Sequence, residues 1–333
     1  MKRLIILLVI FYCDNLFGQI SDFRNYQEKI NIAEMNLIKG KKDEALNSYY
    51  EILTTSKGNF CKDIYNAMLL SKELSKTDTF FLFLNLIKTK GLNNIYMNRL
   101  EEFQTYHSNR KWKQFEAENN NSNINKELRN NIDSLHIRDQ LFRKKEGSYK
   151  VYGDTIHKID SINLYYIYSL LYANNFPGED EIGVSSITGN QGYDIVFHHY
   201  TQKTSLVENK RMPKITPILV NLVLQGKVMP NKCSHWLEMQ NGEFKAGVFG
   251  ISNFSINGIK TNYYREKYSY ERKLILDEYR KWMCLESLED YLEKFIFTLN
   301  NPSTKYRFDI EKSTFEVDEQ MFNIFKKNMI ELK

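Results

Sequence analysis

The stretch GKKDEALNSYYEIL, residues 40–53, decides the fold of the N-terminal third of this chain. Gly40 marks the end of a preceding helix, because glycine readily adopts the left-handed backbone that follows a helical C-terminus. Ala45, Tyr49 and Ile52 recur at helical spacing and form one apolar stripe. The small side chain of Ala45 allows an antiparallel helix to approach closely. The stretch therefore predicts one of a pair of packed helices.

The apolar stripe returns 35 residues later, as Leu84 and Ile87, and Gly91 ends the unit. Phe80 replaces the expected Ala, so the second unit is degenerate. A period of about 34 residues is that of tetratricopeptide repeats, and residues 19–116 resemble a short array of such repeats. The alternative is a plain helical bundle, which needs no repeat.

An asparagine-rich linker, residues 117–126, follows the array. It is polar and aperiodic, and Asn side chains compete with the hydrogen bonds of a helix backbone. We therefore predict a domain boundary here, with a second domain over residues 127–257 and an α-rich extension over residues 258–333.

Beyond the linker, the periodicity predicts a mostly α fold with a small β-hairpin. Helices are expected from Lys126, over residues 155–174, 192–200, 216–225 and 265–299, and from Glu319. Asn241-Gly242 is the expected hairpin turn, between strands at 236–239 and 244–251. Residues 306–310 and 314–317 are two further strand candidates.

A series of short motifs between residues 128 and 250 carries a resemblance. In chain order they are Asp139-Gln140-Leu141-Phe142-Arg143, Asp160-Ser161-Ile162-Asn163, Phe176-Pro177-Gly178 with Gly183, His198-His199, and Phe249-Gly250. In this order and spacing the segment resembles the bacterial family called domain of unknown function 6624. No activity is established for that family, so the resemblance implies a fold and a candidate site but no reaction.

Four residues form the candidate site that the resemblance implies: Asp139, Arg143, Asp160 and His199. Asp139 and Arg143 are four positions apart and share a helix face. Asp160 lies on an otherwise apolar helix and needs a partner such as Arg143 if it is buried. His199 lies on the apolar face of its helix, where a carboxylate would orient it as a general base. These residues come from three different helices, so sequence proximity cannot explain their shared place in the family pattern. We therefore predict that they form one spatial cluster.

The same residues also have a structural interpretation. Asp139 and Arg143 can form a surface ion pair worth roughly 0.3–0.5 kcal/mol, Asp160 an architectural pair, and His199 a satisfied position in the core. The chain also departs from the family at Leu237-Glu238-Met239, where many members carry an acidic-Arg pair, and at Gly247, where an amide is usual. Both departures weaken a shared catalytic site.

No cofactor or metal is predicted. The sequence has no HExxH, P-loop, GxGxxG or GxSxG motif, although His199 with Asp139 or Asp160 stays an alternative metal-ligand pair. Cys61, Cys233 and Cys284 are odd in number and form no CxxC. Three buried thiols, or one disulfide and a free thiol, remain open.

The first residues predict export. A basic pair precedes an apolar run over residues 4–12, and Gly18 stands at the expected cleavage position, so residues 1–18 are typical of a signal peptide. The run is shorter than the roughly 20 residues that span a bilayer, and no other segment reaches that length. A lipid-modified Cys13 and a retained anchor are the alternatives. The expected location is periplasmic or extracellular.

The charge of the chain argues against nucleic acid binding, and two other classes of function remain. Without residues 1–18 the chain keeps 44 basic and 40 acidic residues, dispersed along its length, which does not predict nucleic acid binding. The leading prediction is an exported protein that binds a protein or peptide, or acts as a scaffold, through the groove of its helical array. The alternative is a hydrolase-like enzyme with His199 as general base. An enzyme predicts site residues that converge in a pocket with His199 reachable, whereas a scaffold predicts that they are buried in satisfied pairs or scattered.

Overall fold

The computed structural model describes residues 22–56, 58–118, 124–189, 191–206, 216–239, 250–310 and 313–332. The protein is mostly helical and has one small four-stranded sheet, so the predicted fold class is confirmed. Within the described ranges, no helix is both long and apolar enough to cross a membrane.

The N-terminal unit consists of short helices. They are α1 (residues 22–38), α2 (Lys42–Thr55), α3 (Cys61–Glu73), α4 (Thr77–Thr89), α5 (Asn94–Asn98), a 3-10 helix (Glu101–Tyr106) and α6 (Arg110–Ala117). The stripe of Ala45, Tyr49 and Ile52 is buried, as the spacing predicts. Gly40 and Gly91 have φ angles of +75° and +71° and end α1 and α4. The tetratricopeptide-like character of this unit stays a prediction.

The second group of helices contains the candidate site. It comprises α7 (Lys126–Arg143), α8 (Ser148–Tyr172), α9 (Glu179–Ile182), α10 (Tyr193–Leu206), α11 (Thr216–Leu224) and α12 (Pro230–Met239). Helices α7, α8 and α10 pack against one another, and α12 packs against α10 and α11. Helices α7, α8, α10 and α11 lie close to the predicted positions because their apolar periodicity is regular.

The C-terminal part combines helices with the sheet. Its elements are β1 (Ile251–Ile256), β2 (Ile259–Glu266), α13 (Tyr270–Trp282), α14 (Leu288–Asn300), β3 (Ser313–Glu316), α15 (Glu319–Lys326) and β4 (Met329–Glu331). The strand order is β3-β1-β2-β4, with β1 antiparallel to β2 and parallel to β3. Phe322 of α15 packs on Phe254 from one side, and Phe295 of α14 packs on Tyr263 from the other.

The predicted position of the hairpin is wrong where it can be compared. Residues 236–239 belong to α12 and not to a strand, because Trp236 and Leu237 are buried and Trp236 stacks on Phe197 of α10 at 4.4 Å. The proposed turn and most of the second strand, residues 240–249, lie outside the described residues. The hairpin that the structure contains turns at Asn257-Gly258, where both φ angles are positive (+51° and +82°), as a tight two-residue turn requires.

Two other expectations need correction. The helix predicted over residues 265–299 is divided, since β2 runs to Glu266 and α13 ends before Cys284, which has a φ of +57°. Residues 306–310 are not a strand, because their backbone pairs with asparagine side chains and not with the sheet. The strand and helix predicted at 314–317 and from Glu319 are present as β3 and α15.

One apolar core connects the segments on both sides of the predicted linker. It extends from Phe23 to Tyr306. Val184 N also donates to Lys90 O, and Asn125 N donates to Glu181 O, each at 2.8 Å. The three-part division of the chain stays a prediction, and residues 119–123 of the linker lie outside the described residues.

None of the three cysteines that the sequence left open forms a disulfide with another described residue. Cys61, Cys233 and Cys284 are all buried and free. Of the two alternatives left open by the sequence, the structure therefore shows three buried thiols.

Candidate functional site

The four predicted site residues meet in one place. Arg143 Nη2 lies 2.7 Å from Asp160 Oδ1, and Arg143 Nη1 lies 3.0 Å from Asp139 Oδ1. His199 Nε2 lies 3.2 Å from the other carboxylate oxygen of Asp139, Oδ2. The four side chains thus form a continuous row of contacts in the order Asp160, Arg143, Asp139, His199.

Helix geometry places each of these side chains. Asp139 and Arg143 are one turn apart on α7 and face the same way. Asp160 comes from α8 and His199 from α10, the two helices that pack on α7. The planar guanidinium of Arg143 carries donors on both Nη atoms and can therefore hold one carboxylate on each side. Sequence spacing alone explains the contact of Asp139 with Arg143, but not the contacts that Asp160 and His199 make.

Arg143 is the electrostatic centre of this row of four side chains. Burial acts to lower the pKa of its guanidinium, but the hydrogen bond to Asp160 and the charges of Asp139 and Asp160 outweigh burial and raise that pKa. Asp139 is almost fully buried and also accepts a hydrogen bond from Gln140 Nε2 at 2.8 Å.

His199 is the most exposed of the four residues. Its side chain is 18% exposed, whereas that of Asp139 is 2% exposed. Its Nε2 atom is buried and its contact with Asp139 lacks the geometry of a hydrogen bond. The contact places the imidazole against a buried carboxylate, so that Asp139 can orient the ring.

Two further histidines stand beside this site. The rings of His198 and His235 are nearly parallel, with centroids 6.4 Å apart. Burial, and next the charge of His199, lowers the pKa of His198. Burial, and next the charge of His198, lowers the pKa of His235 to about 4. Both rings are therefore held neutral near pH 7. Over the part of the chain that the structure describes, no three His, Cys, Asp or Glu side chains are grouped so that they could hold a metal ion.

The two positions at which the chain departs from the family are only partly visible. Leu237 is buried in α12, and Glu238 lies beside it on the same helix. Gly247 lies outside the described residues. The catalytic assignment of the four residues stays a prediction, while their convergence is a property of the structure.

Sequence reasoning missed Glu179, which directly follows the Phe176-Pro177-Gly178 motif. Its carboxyl group is buried and accepts a 2.7 Å hydrogen bond from Cys61 N. Burial raises the pKa of Glu179 to about 7, although the charge of Lys90 and the Cys61 N–H act in the opposite direction. The only available signal was its place next to the motif, because one acidic residue at a helix start is usually a solvated one.

Replacing Glu179 by Gln should change how stability depends on pH. The folded-state pKa lies above the ordinary carboxyl value, so the ionised group penalises the fold, and the penalty grows as the pH rises from about 4.5 to about 7. We expect the unfolding free energy of Glu179→Gln, relative to that of the unsubstituted protein, to rise by roughly 3 kcal/mol between pH 4 and pH 8. Urea unfolding at several pH values measures this, with Glu44→Gln as the solvent-exposed reference. A difference that does not vary with pH would contradict the prediction.

Sequence reasoning also missed a buried cluster of charges between the N-terminal helices and α14. Glu34 lies 2.8 Å from Lys62 and 2.6 Å from Lys294. Lys62 also contacts Asp63 at 2.5 Å, and Lys294 contacts Glu286 at 3.4 Å. Burial acts to raise the pKa of Glu34, but the charges of Lys294 and Lys62 lower it overall. The cluster therefore couples α1 and α3 to the C-terminal part of the chain.

Comparison of the chain with family models, curated proteins and solved structures found no match in any of the three. The resemblance over residues 128–250 rests on its motifs alone.

Proposed function

We propose that the protein is a hydrolase-like enzyme in which His199 acts as general base. One observation supports the proposal: side chains from three helices converge in the order Asp160, Arg143, Asp139, His199, and His199 is the most exposed of the four. Convergence with a reachable imidazole is expected of a site for acid–base chemistry.

The proposed roles follow from the distances. Asp139 holds the proton of His199 on Nε2, which leaves Nδ1 as the proton acceptor. Nδ1 takes a proton from a water molecule, and the water oxygen forms a bond to the electrophilic atom of the substrate. The leaving group departs and receives that proton from the imidazolium. Arg143 holds the carboxylate of Asp139 in place, and Asp160 holds the guanidinium of Arg143 in place.

The test is hydrolysis of p-nitrophenyl acetate and p-nitrophenyl phosphate by the full chain and by His199→Gln. General-base catalysis predicts that the substitution lowers the rate about 100-fold or more, while the melting temperature changes little. His157→Gln, on the exposed side of α8, controls for a histidine lost elsewhere. Rates that are equal in the variant and the unsubstituted protein, or absent in both, would remove the enzymatic proposal.

A second candidate is the binding or scaffolding function expected from the sequence. The observation that favours it is a segment without regular secondary structure, residues 304–310, in which Asn66 of α3 binds both backbone groups of Arg307. In this function the array takes a protein or peptide partner, with tetratricopeptide-like helices as the supporting framework. The function does not involve nucleic acid.

We also propose that the protein is exported after cleavage near Gly18, on the sequence of residues 1–18, which lie outside the described residues. Intact-mass analysis of the exported protein should give a chain that begins at or near Gln19. Retention of Met1 would contradict the proposal, and a lipid adduct on Cys13 would favour the lipoprotein alternative.

A further inference from the structure

We infer that a cavity between α1 and the turn from α13 to α14 is a binding site for a small α-amino acid, which lies with its ammonium group inside and its carboxylate at the mouth. None of the four residues around His199 lines this cavity. The inference therefore goes beyond the hydrolysis proposed above and does not depend on it.

The cavity has two adjoining chambers. The inner chamber, of about 20 Å³, lies among the buried side chains of Glu34, Lys62 and Lys294. The outer chamber, of about 80 Å³, extends to the exposed residues Glu28 and Lys281. Four residues line both chambers, which places the two side by side: Gln27, Asn31, Leu285 and Glu286. The inner chamber has room for one group about as large as a water molecule, and the outer chamber has room for the rest of a small ligand.

The charge of the inner chamber favours a cation. Six ionisable side chains line it: Glu34, Asp63, Glu286, Asp309, Lys62 and Lys294. When all six are ionised, the carboxylates outnumber the ammonium groups by two. Burial raises the pKa of Asp309 to about 6, so this carboxylate is ionised at pH 8. A positive group that enters the chamber therefore finds carboxylates with which it can pair, and pairing offsets the cost of burying it.

Buried oxygens that lack a donor line the same chamber. Asn231, at the start of α12, is 1% exposed, and its Oδ1 atom has no hydrogen-bond partner among the described residues. Asn31 of α1 donates from Nδ2 to Asp290 Oδ2 at 2.7 Å, whereas its buried Oδ1 atom likewise has no partner in the described part of the chain. A buried acceptor without a donor is costly. A primary ammonium group brings three N–H donors and a positive charge, which is what this chamber needs.

The outer chamber presents a basic group to the other end of the ligand. Arg24 of α1 lines it, and the Nε atom of Arg24 is buried with no hydrogen-bond partner among the residues that the structure describes. Lys281 of α13 is a second basic residue of the lining, and Glu28 is acidic. A carboxylate on the ligand would accept a charge-assisted hydrogen bond from Arg24. A ligand with an ammonium group at one end and a carboxylate at the other therefore satisfies buried polar atoms in both chambers.

Equilibrium dialysis of the full chain against radiolabelled glycine at pH 8 tests the inference. We expect saturable binding of one glycine per chain. Trimethylglycine has the same charges, but its head group has no N–H and is larger than the inner chamber, so it should compete at least about tenfold more weakly than unlabelled glycine. No saturable binding, or equal competition by both compounds, would overturn the inference and leave the inner chamber to a water molecule. This comparison needs no substitution in the protein.

Substitutions at the two ends of the cavity test the orientation of the ligand. Arg24→Gln removes the charged donor of the outer chamber and should weaken glycine about tenfold, but leave the affinity for methylammonium unchanged, since methylammonium has no carboxylate. Asn31→Leu removes an acceptor of the inner chamber and should weaken both compounds. Arg110→Gln, at an exposed position of α6, is the control and should weaken neither.

Two results with these variants contradict the assigned ligand. If Arg24→Gln weakens glycine and methylammonium equally, the carboxylate does not lie in the outer chamber. If Asn31→Leu leaves the binding of glycine unchanged, the ammonium group does not lie in the inner chamber. Either result overturns the inference, and hydrolysis at His199 is independent of both.

Discussion

Replacing Arg143 by Met should lower the free energy of unfolding by about 3 kcal/mol or more, because it removes the guanidinium that two largely buried carboxylates share. Asp139 and Asp160 have side-chain exposures of 2% and 10%, so water cannot substitute fully for the guanidinium. Methionine keeps most of the length and apolar volume of the arginine stem. Urea unfolding at pH 7 measures the effect.

Lys144→Met is the matched control for this substitution. It removes one positive charge from the adjacent position, where the side chain is exposed, and should change stability by no more than about 0.5 kcal/mol. Asp139→Asn combined with Asp160→Asn should recover much of the loss in Arg143→Met, since the two carboxylates no longer repel. If Arg143→Met costs no more than Lys144→Met, the buried chain of ion pairs does not exist in solution.

Replacing Glu34 by Gln should destabilise the fold by about 3–5 kcal/mol, because Lys62 and Lys294 then share no buried carboxylate between them. Glu34 is 3% exposed and contacts both ammonium groups directly. The amide can accept a hydrogen bond but carries no charge. The loss of unfolding free energy should have its full size at neutral pH and be smaller in acid. The pKa of Glu34 is lowered in the folded state, so the stabilisation that its carboxylate gives is lost as the pH falls.

Glu51→Gln is the control for Glu34. Glu51 pairs with Lys29 at 3.3 Å on the surface, with side-chain exposures of 71% and 42%, and such a pair contributes roughly 0–1 kcal/mol. Both substitutions remove the same charge from the same helical unit. Equal losses in thermal or urea unfolding would show that the buried cluster couples α1 to α14 no more strongly than a surface pair does.

The features that the sequence predicted are those with a local cause. Apolar periodicity placed α7, α8, α10 and α11, and Gly40 marked the end of α1, because helix periodicity and helix ends depend on neighbouring residues. The hairpin was misplaced because two Asn-Gly pairs carry the same local turn signal. The residues before Asn241-Gly242 are helical because Trp236 packs on Phe197, a contact that the local sequence does not indicate.

The candidate site was predicted only through the resemblance of its motifs. Spacing on α7 brings Asp139 and Arg143 together, but nothing local indicates that Asp160 and His199 would complete the chain. No motif in the sequence indicated the buried charge cluster. Glu34 and Lys294 are separated by 260 positions in the sequence, and isolated charged residues on a helix usually indicate its solvated face.

The proton positions on His199 report how Asp139 orients the ring, and they can be measured without any knowledge of the substrate. Nitrogen-15 NMR of the imidazole side chains at pH 8, assigned with His199→Gln, resolves which ring nitrogen carries the proton. We expect a proton on Nε2, towards Asp139, an unprotonated Nδ1, and loss of this preference in Asp139→Ala. A proton on Nδ1, or a tautomer ratio that does not change in Asp139→Ala, would contradict this expectation.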